Sequence, residues 1–176
     1  MKYIVCEEPG NFQLKEKEAP VRKKGEALLK VNKVGICGTD LHAYTGNQPF
    51  FSYPRILGHE LATQVIAIDE NDKGIEAGDN VVIMPYLSCG HCVACRKGKT
   101  NCCTQIQVLG IHTDGGMQEQ ITVPVDILLP AKHLTNEQMA IVEPLAIAAH
   151  SIRRAQIVPG ETIVVVGCGP IGIGIM

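Results

Sequence analysis

The sequence predicts a mainly β domain with few helices, followed by the first strand and helix start of an α/β unit, and three observations carry that expectation. From Met1 to about Pro130 short apolar runs are separated by Gly, Pro, Asn and Asp. From Thr135 the apolar spacing turns helical, and after Val158 a β-branched run leads straight into a glycine turn. In the first region Ala27 to Val31, Gln64 to Ile68, Asn80 to Met84 and Glu119 to Val123 read as strands, expected to close into a barrel or sandwich that hides their edges. Thr135 is a helix cap, Glu137 sits early, and Ala140, Ile141 and Ala148 keep helical spacing to about Ala155, with Pro144 kinking or restarting the helix. Thr162 to Val166 has the continuous apolar character of a parallel strand buried on both faces.

That run is followed at once by Gly167-Cys168-Gly169-Pro170-Ile171-Gly172. Strand, glycine turn and helix start form the context in which a G-x-G-x-x-G run binds dinucleotide phosphates, so Gly167, Gly169 and Gly172 are candidate cofactor-binding residues. The acidic residue that would meet the ribose, about 20 residues further on, falls past Met176. The expected division is 1–145 for the β domain and 146–176 for a connecting helix and the truncated start of the dinucleotide-binding domain.

A chain of 176 residues, 45% hydrophobic, can bury one full core. Its formal charge of -2, with basic residues scattered along the sequence, argues against nucleic acid or an acidic membrane as the main partner. No apolar run approaches a membrane span and no export signal opens the chain, so the expected location is the cytoplasm. In that reducing compartment eight cysteines fit metal binding better than disulfides.

Cys89, Cys92, Cys95 and Cys103 lie in one short stretch, with Gly90, Gly98 and Asn101 supplying turns. Four thiolates fill a zinc ion's coordination and leave it a structural role. Cys102 competes only for the place of Cys103, Cys6 and Cys168 are left over, and His91 faces solvent within the loop. Cys37 with His59 and Glu60 forms a mixed set of sulfur, nitrogen and oxygen that can keep a position open for water or substrate. Two zinc ions per chain are therefore expected, one structural and one chemical. His112, His133 and His150 have no ligand partner nearby in sequence and are given no role.

Gly35-Ile36-Cys37-Gly38-Thr39-Asp40, Gly58-His59-Glu60, the CxxCxxCx7C knuckle, Glu143-Pro144-Leu145 and GCGPIG, in that order, resemble the zinc-dependent medium-chain alcohol and polyol dehydrogenases, in the threonine, sorbitol and sugar-acid branch. The resemblance runs over nearly the whole chain. It implies a GroES-like β-barrel catalytic domain, then the first strand and helix start of a truncated Rossmann domain, with the active site in the cleft between them. It also implies hydride transfer between a small alcohol, such as a polyol or sugar acid, and NAD or NADP.

By the same resemblance Cys37 and His59 are catalytic-zinc ligands, and Glu143 stands where alcohol dehydrogenases carry a second Cys. Glu60 and Glu143 remain open as the third ligand. Thr39 matches the hydroxyl that touches the substrate oxygen, His42 the outer proton relay, and Asp40 a residue that fixes the His59 ring. The chain is expected to be inactive alone, and its parent to be a homo-oligomer. Two other readings stand beside this one. The first is a zinc-stabilised GroES-like binding or assembly module without chemistry; the second, a zinc-ribbon nucleic-acid binder, lacks a basic face in sequence. Two local departures from the family pattern are Thr63, where a glycine is common, and the acidic turn Asp69 to Asp72; for the loop from Tyr44 to Tyr53 two roles stay open, cleft lining and surface packing.

Overall fold

The computed structural model describes residues 1–176. In chain order its elements are β1 (Lys2–Glu8), β2 (Asn11–Glu16), β3 (Glu26–Gly35), α1 (Gly38–Tyr44), β4 (Glu60–Ala67), β5 (Asn80–Ile83), β6 (Tyr86–Leu87) and α2 (Val93–Arg96). There follow β7 (Gln107–Val108), β8 (Gln120–Pro124), β9 (Leu128–Pro130), α3 (Asn136–Ala140), α4 (Val142–Ala155) and α5 (Pro170–Ile175). All four apolar runs picked out in the sequence overlap strands.

Five strands form one antiparallel sheet in the order β8-β3-β4-β5-β9. Its two edge strands are consecutive in sequence and joined only by the turn Val125–Ile127, so the sheet must curl until its edges nearly meet. This is the expected barrel, short of a closing ladder between β8 and β9. Alternate residues point inward, as the pleat requires: Ala27 and Leu29 of β3, Leu61 and Val65 of β4, Val81 and Ile83 of β5, and Ile121 and Val123 of β8 share one core.

Thr63 stands in β4 opposite Val81, beside a register shift in the β3 ladder, and its hydroxyl donates to the Val81 carbonyl at 2.7 Å. A threonine is thus accommodated at this position, fully buried and hydrogen-bonded. In the acidic turn, Asp69 pairs with Arg22 at 2.6 Å, and the side-chain oxygen of Asn71 accepts from Lys73 N and Ile75 N.

Thr135 caps α3 through a reciprocal pair: Gln138 N donates to its hydroxyl at 3.3 Å while Thr135 N donates to the Gln138 side chain at 2.9 Å. Thr135→Ala should lower stability by about 1 kcal/mol, read as a shift in urea midpoint. The helix pauses at Ile141 and restarts as α4, with Pro144 in its first turn, where a missing N–H removes no hydrogen bond. α5 seats against α4, and Gly174 approaches so closely that a Cβ there would lie 3.1 Å from that of Ala148.

Thr162 to Val166 is the point of difference. It is joined to no sheet, and Val164 is 81% and Val166 95% exposed. A parallel strand exists only beside another, and no second strand of that kind is present to receive its N–H and C=O groups.

Candidate metal centres

Two groups of donors converge. The thiols of Cys89, Cys92, Cys95 and Cys103 all lie within 4.8 Å of one another, as do the donor atoms of Cys37, His59 and Glu60.

In the first group the sulfurs of Cys89 and Cys95 are 3.9 Å apart and those of Cys92 and Cys95 3.5 Å. A tetrahedron with zinc–sulfur bonds of about 2.3 Å has edges of about 3.8 Å, so the spacing fits such an ion. Backbone N–H groups already aim at the sulfurs: Cys89 N and Gln105 N donate to Cys103 at 3.3 Å, and Cys92 N donates to Cys89 at 3.4 Å. The N–H groups of Cys95 and Thr104 pull the Cys92 thiol down to about 5, toward the thiolate a metal needs. Cys103 is buried within the group while Cys102 is exposed outside it, which separates the two neighbours. His91 is exposed, its ring nitrogen within 2.7 Å of the Cys89 carbonyl.

The second group is built by two segments. Cys37 precedes α1 with an extended backbone, and His59 and Glu60 stand where β4 begins. Both are buried, at 6% and 8% exposure. Glu60 fits because Gly35, opposite it in the β3–β4 ladder, has no side chain; a Cβ there would collide with the Glu60 carboxylate. His59 follows Gly58, whose φ of +92° only glycine adopts freely.

The segment before His59 lies in a cradle of glycines that the sequence reading missed. Gly115 N donates to Ile56 O at 2.7 Å, Gly116 N to Gly58 O at 2.8 Å and Met117 N to Leu57 O at 2.9 Å. Gly110 and Gly115 leave room for this approach, since a Cβ on either would meet the backbone of Gly58. The adjacent pair Gly115-Gly116 was the available signal.

Asp40 does not bond to the His59 ring as expected. Its Oδ2 accepts from Cys37 N at 2.8 Å and its Oδ1 from Gly58 N at 3.3 Å, which ties together the two backbone segments that carry Cys37 and His59. The reason is local: three residues after a helix cap, a carboxylate is placed to accept from the cap's own N–H. The Nδ1 of His59 is left buried without a partner, so the ring is under-satisfied as an isolated side chain.

Burial pulls the His59 pKa down, but the Cys37 hydrogen bond and the charges of Asp40, Cys37 and Glu143 together leave it above its ordinary value. Burial raises Glu60. Glu143, in the first turn of α4, stands just outside the group, where its Oε1 accepts from the Tyr86 hydroxyl at 3.2 Å. Burial and that carboxylate push Tyr86 up to about 12, so it remains a donor. Tyr86 had no signal in the sequence.

Cys37, Gly38, Thr39, His42 and Glu60 form one wall of a cleft of about 610 Å³, and Gly167, Gly169 and Gly172 belong to the opposite wall. Thr39 and His42 are one turn apart on α1, hence on one face. The glycine turn is tight: Gly167 has φ +102°, and a Cβ on Gly172 would strike the Gly167 carbonyl. No helix is long and apolar enough to cross a membrane.

The chain is similar to known proteins over nearly its whole length. The chain is 48% identical over 174 residues to L-galactonate-5-dehydrogenase of Escherichia coli K12, covering 99% of this chain and 51% of that one. It is 35% identical over 179 residues to sorbitol dehydrogenase of Bacillus subtilis, covering 98% and 50%. Among solved structures, the alcohol dehydrogenase rspB of Escherichia coli CFT073, complexed with NADH, superposes with a TM-score of 0.90 at 38% identity, over 99% of this chain and 51% of that one. The chain thus spans about half the length of the relatives it matches. Residues 23–133 match the alcohol dehydrogenase GroES-like domain, and the chain belongs to that family.

Proposed function

We propose that this chain is the zinc-binding part of an oxidoreductase that moves a hydride between a polyol or sugar-acid alcohol and NAD or NADP. The observation that carries this is the cleft in which Cys37 and Glu60, with His59 behind them, face the Gly167–Gly172 turn. Division into a catalytic domain over 1–145 and the beginning of a dinucleotide-binding domain over 146–176 belongs to the same reading, as does a soluble, oligomeric parent that binds neither membrane nor nucleic acid.

Cys37, His59 and Glu60 would hold the catalytic zinc, with Glu143 kept in reserve by Tyr86. Bound zinc supplies Lewis acidity, and a nicotinamide supplies the hydride acceptor. In this reading Thr39 takes a proton from the substrate hydroxyl as it hands its own on toward His42, one turn along α1 and exposed, which releases it to solvent. Gly167, Gly169 and Gly172 open a backbone cradle for the cofactor's pyrophosphate. One thiolate and one carboxylate offset the charge of the ion while leaving a more labile oxygen ligand.

The reading expects two zinc ions per chain by atomic emission, and one in Cys37→Ser and in His59→Ala. Unchanged zinc content in both variants would refute it. Alcohol-dependent reduction of NAD or NADP by the whole protein, abolished by the same substitutions, tests the chemistry.

A further inference from the structure

The basic residues look scattered in the sequence, yet the fold gathers four of the positively charged or protonatable ones around a second cleft. This cleft, of about 700 Å³, lies between the loop that leads to Cys103 and the last turns of α4, well away from the site above. Lys99 lines one side; His150, Arg153 and Arg154 line the other; Asn101 and Gln156 add amides. No carboxylate is among the lining residues. None of the four basic residues takes part in any of the ion pairs of the molecule, all of which involve other side chains.

Part of this has an ordinary explanation, since cations in the last turn of a helix complement its dipole. That accounts for Arg153 and Arg154 but not for Lys99, which comes from the other side of the cleft. Cations facing one another without an acid repel, and an anion between them removes that repulsion. The lining holds no Phe, Tyr or Trp ring on which a nucleobase would stack, and its one imidazole, His150, lies among cations. Guanidinium forks suit planar or tetrahedral oxyanions.

We infer that this cleft is a binding site for a small, multiply charged, non-aromatic oxyanion of the sugar-phosphate class, which bridges the thiol loop to α4. Through Lys99 and Asn101 the ligand would reach the loop leading to Cys103, and through Arg153 and Arg154 the helix that begins beside Glu143.

Fructose 1,6-bisphosphate is a suitable probe, titrated calorimetrically into the zinc-replete chain at low ionic strength, with zinc content measured afterwards. One saturable site is expected, about tenfold or more weaker in the Arg153→Gln/Arg154→Gln double variant. It should be little changed in Lys23→Gln/Lys24→Gln, which removes as much charge elsewhere. Circular dichroism and zinc content of each variant report whether the fold is intact. Absence of saturable binding to the wild type, or equal affinity in the arginine double variant, would overturn the inference. So would an equal loss in the lysine control, which would mean diffuse attraction and no site.

Discussion

Replacing Cys103 by Ser is expected to release one zinc ion and unfold the surrounding loop while the β core survives. The loop has almost nothing else to hold it. α2 is four residues long, Thr100–Cys102 is a single 3₁₀ turn, and Val93 is 60% exposed. Cys103 is the one buried side chain between Cys89 and Cys103. Structural zinc in peptides of this kind contributes an apparent ~10–16 kcal/mol, far above what so short a segment gains from packing. Trypsin should therefore cut Cys103→Ser rapidly at Arg96, Lys97 or Lys99, with far-ultraviolet circular dichroism of the sheet little altered. Retained zinc stoichiometry together with trypsin resistance would show that the thiols pack without an ion.

The second large effect is expected from Gly115→Ala. Its new methyl would lie 2.6 Å from the Leu57 carbonyl oxygen and 2.7 Å from Gly110 Cα, and it would also collide with the Gly58 carbonyl. All three atoms are backbone and cannot swing aside, so the cost should be about 3 kcal/mol or more, at the upper end of overpacking. Gly25→Ala is the comparison. Its φ is +82° but its Cβ would meet nothing within 4 Å, which limits the loss to about 1–2 kcal/mol of backbone strain. Urea unfolding should separate the two. Because Gly115 supports the segment that ends in His59, the first variant should also bind its chemical zinc more weakly, and the second should not. Equal midpoints would mean that the cradle yields without cost.

Elements were legible in the sequence where the information is local. The alternation of Ala27 to Val31 gave a strand because the pleat enforces a period of two, and Thr135 gave a helix start because its partner Gln138 is three residues away. The cysteine spacings located the knuckle for the same reason. Features that depend on distant segments were not legible. The bond by which Tyr86 engages Glu143 joins residues 57 positions apart. The cradle under Gly58 needs Gly110 and Gly115 from another part of the chain. Asp40 was assigned to a ring when its own helix cap was nearer, and the basic cleft is assembled from Lys99 and Arg153, which no linear scan associates.

Thr162 to Val166 carries one more consequence. Five β-favouring residues in a row, mostly in water and bound to no neighbour, present a bare row of peptide groups flanked by branched side chains. Such a ribbon is self-complementary: two copies laid side by side satisfy each other's peptides and dry each other's methyl groups. In a chain that spans about half the length of its relatives, that row of peptide groups is the edge to which a further parallel strand would add.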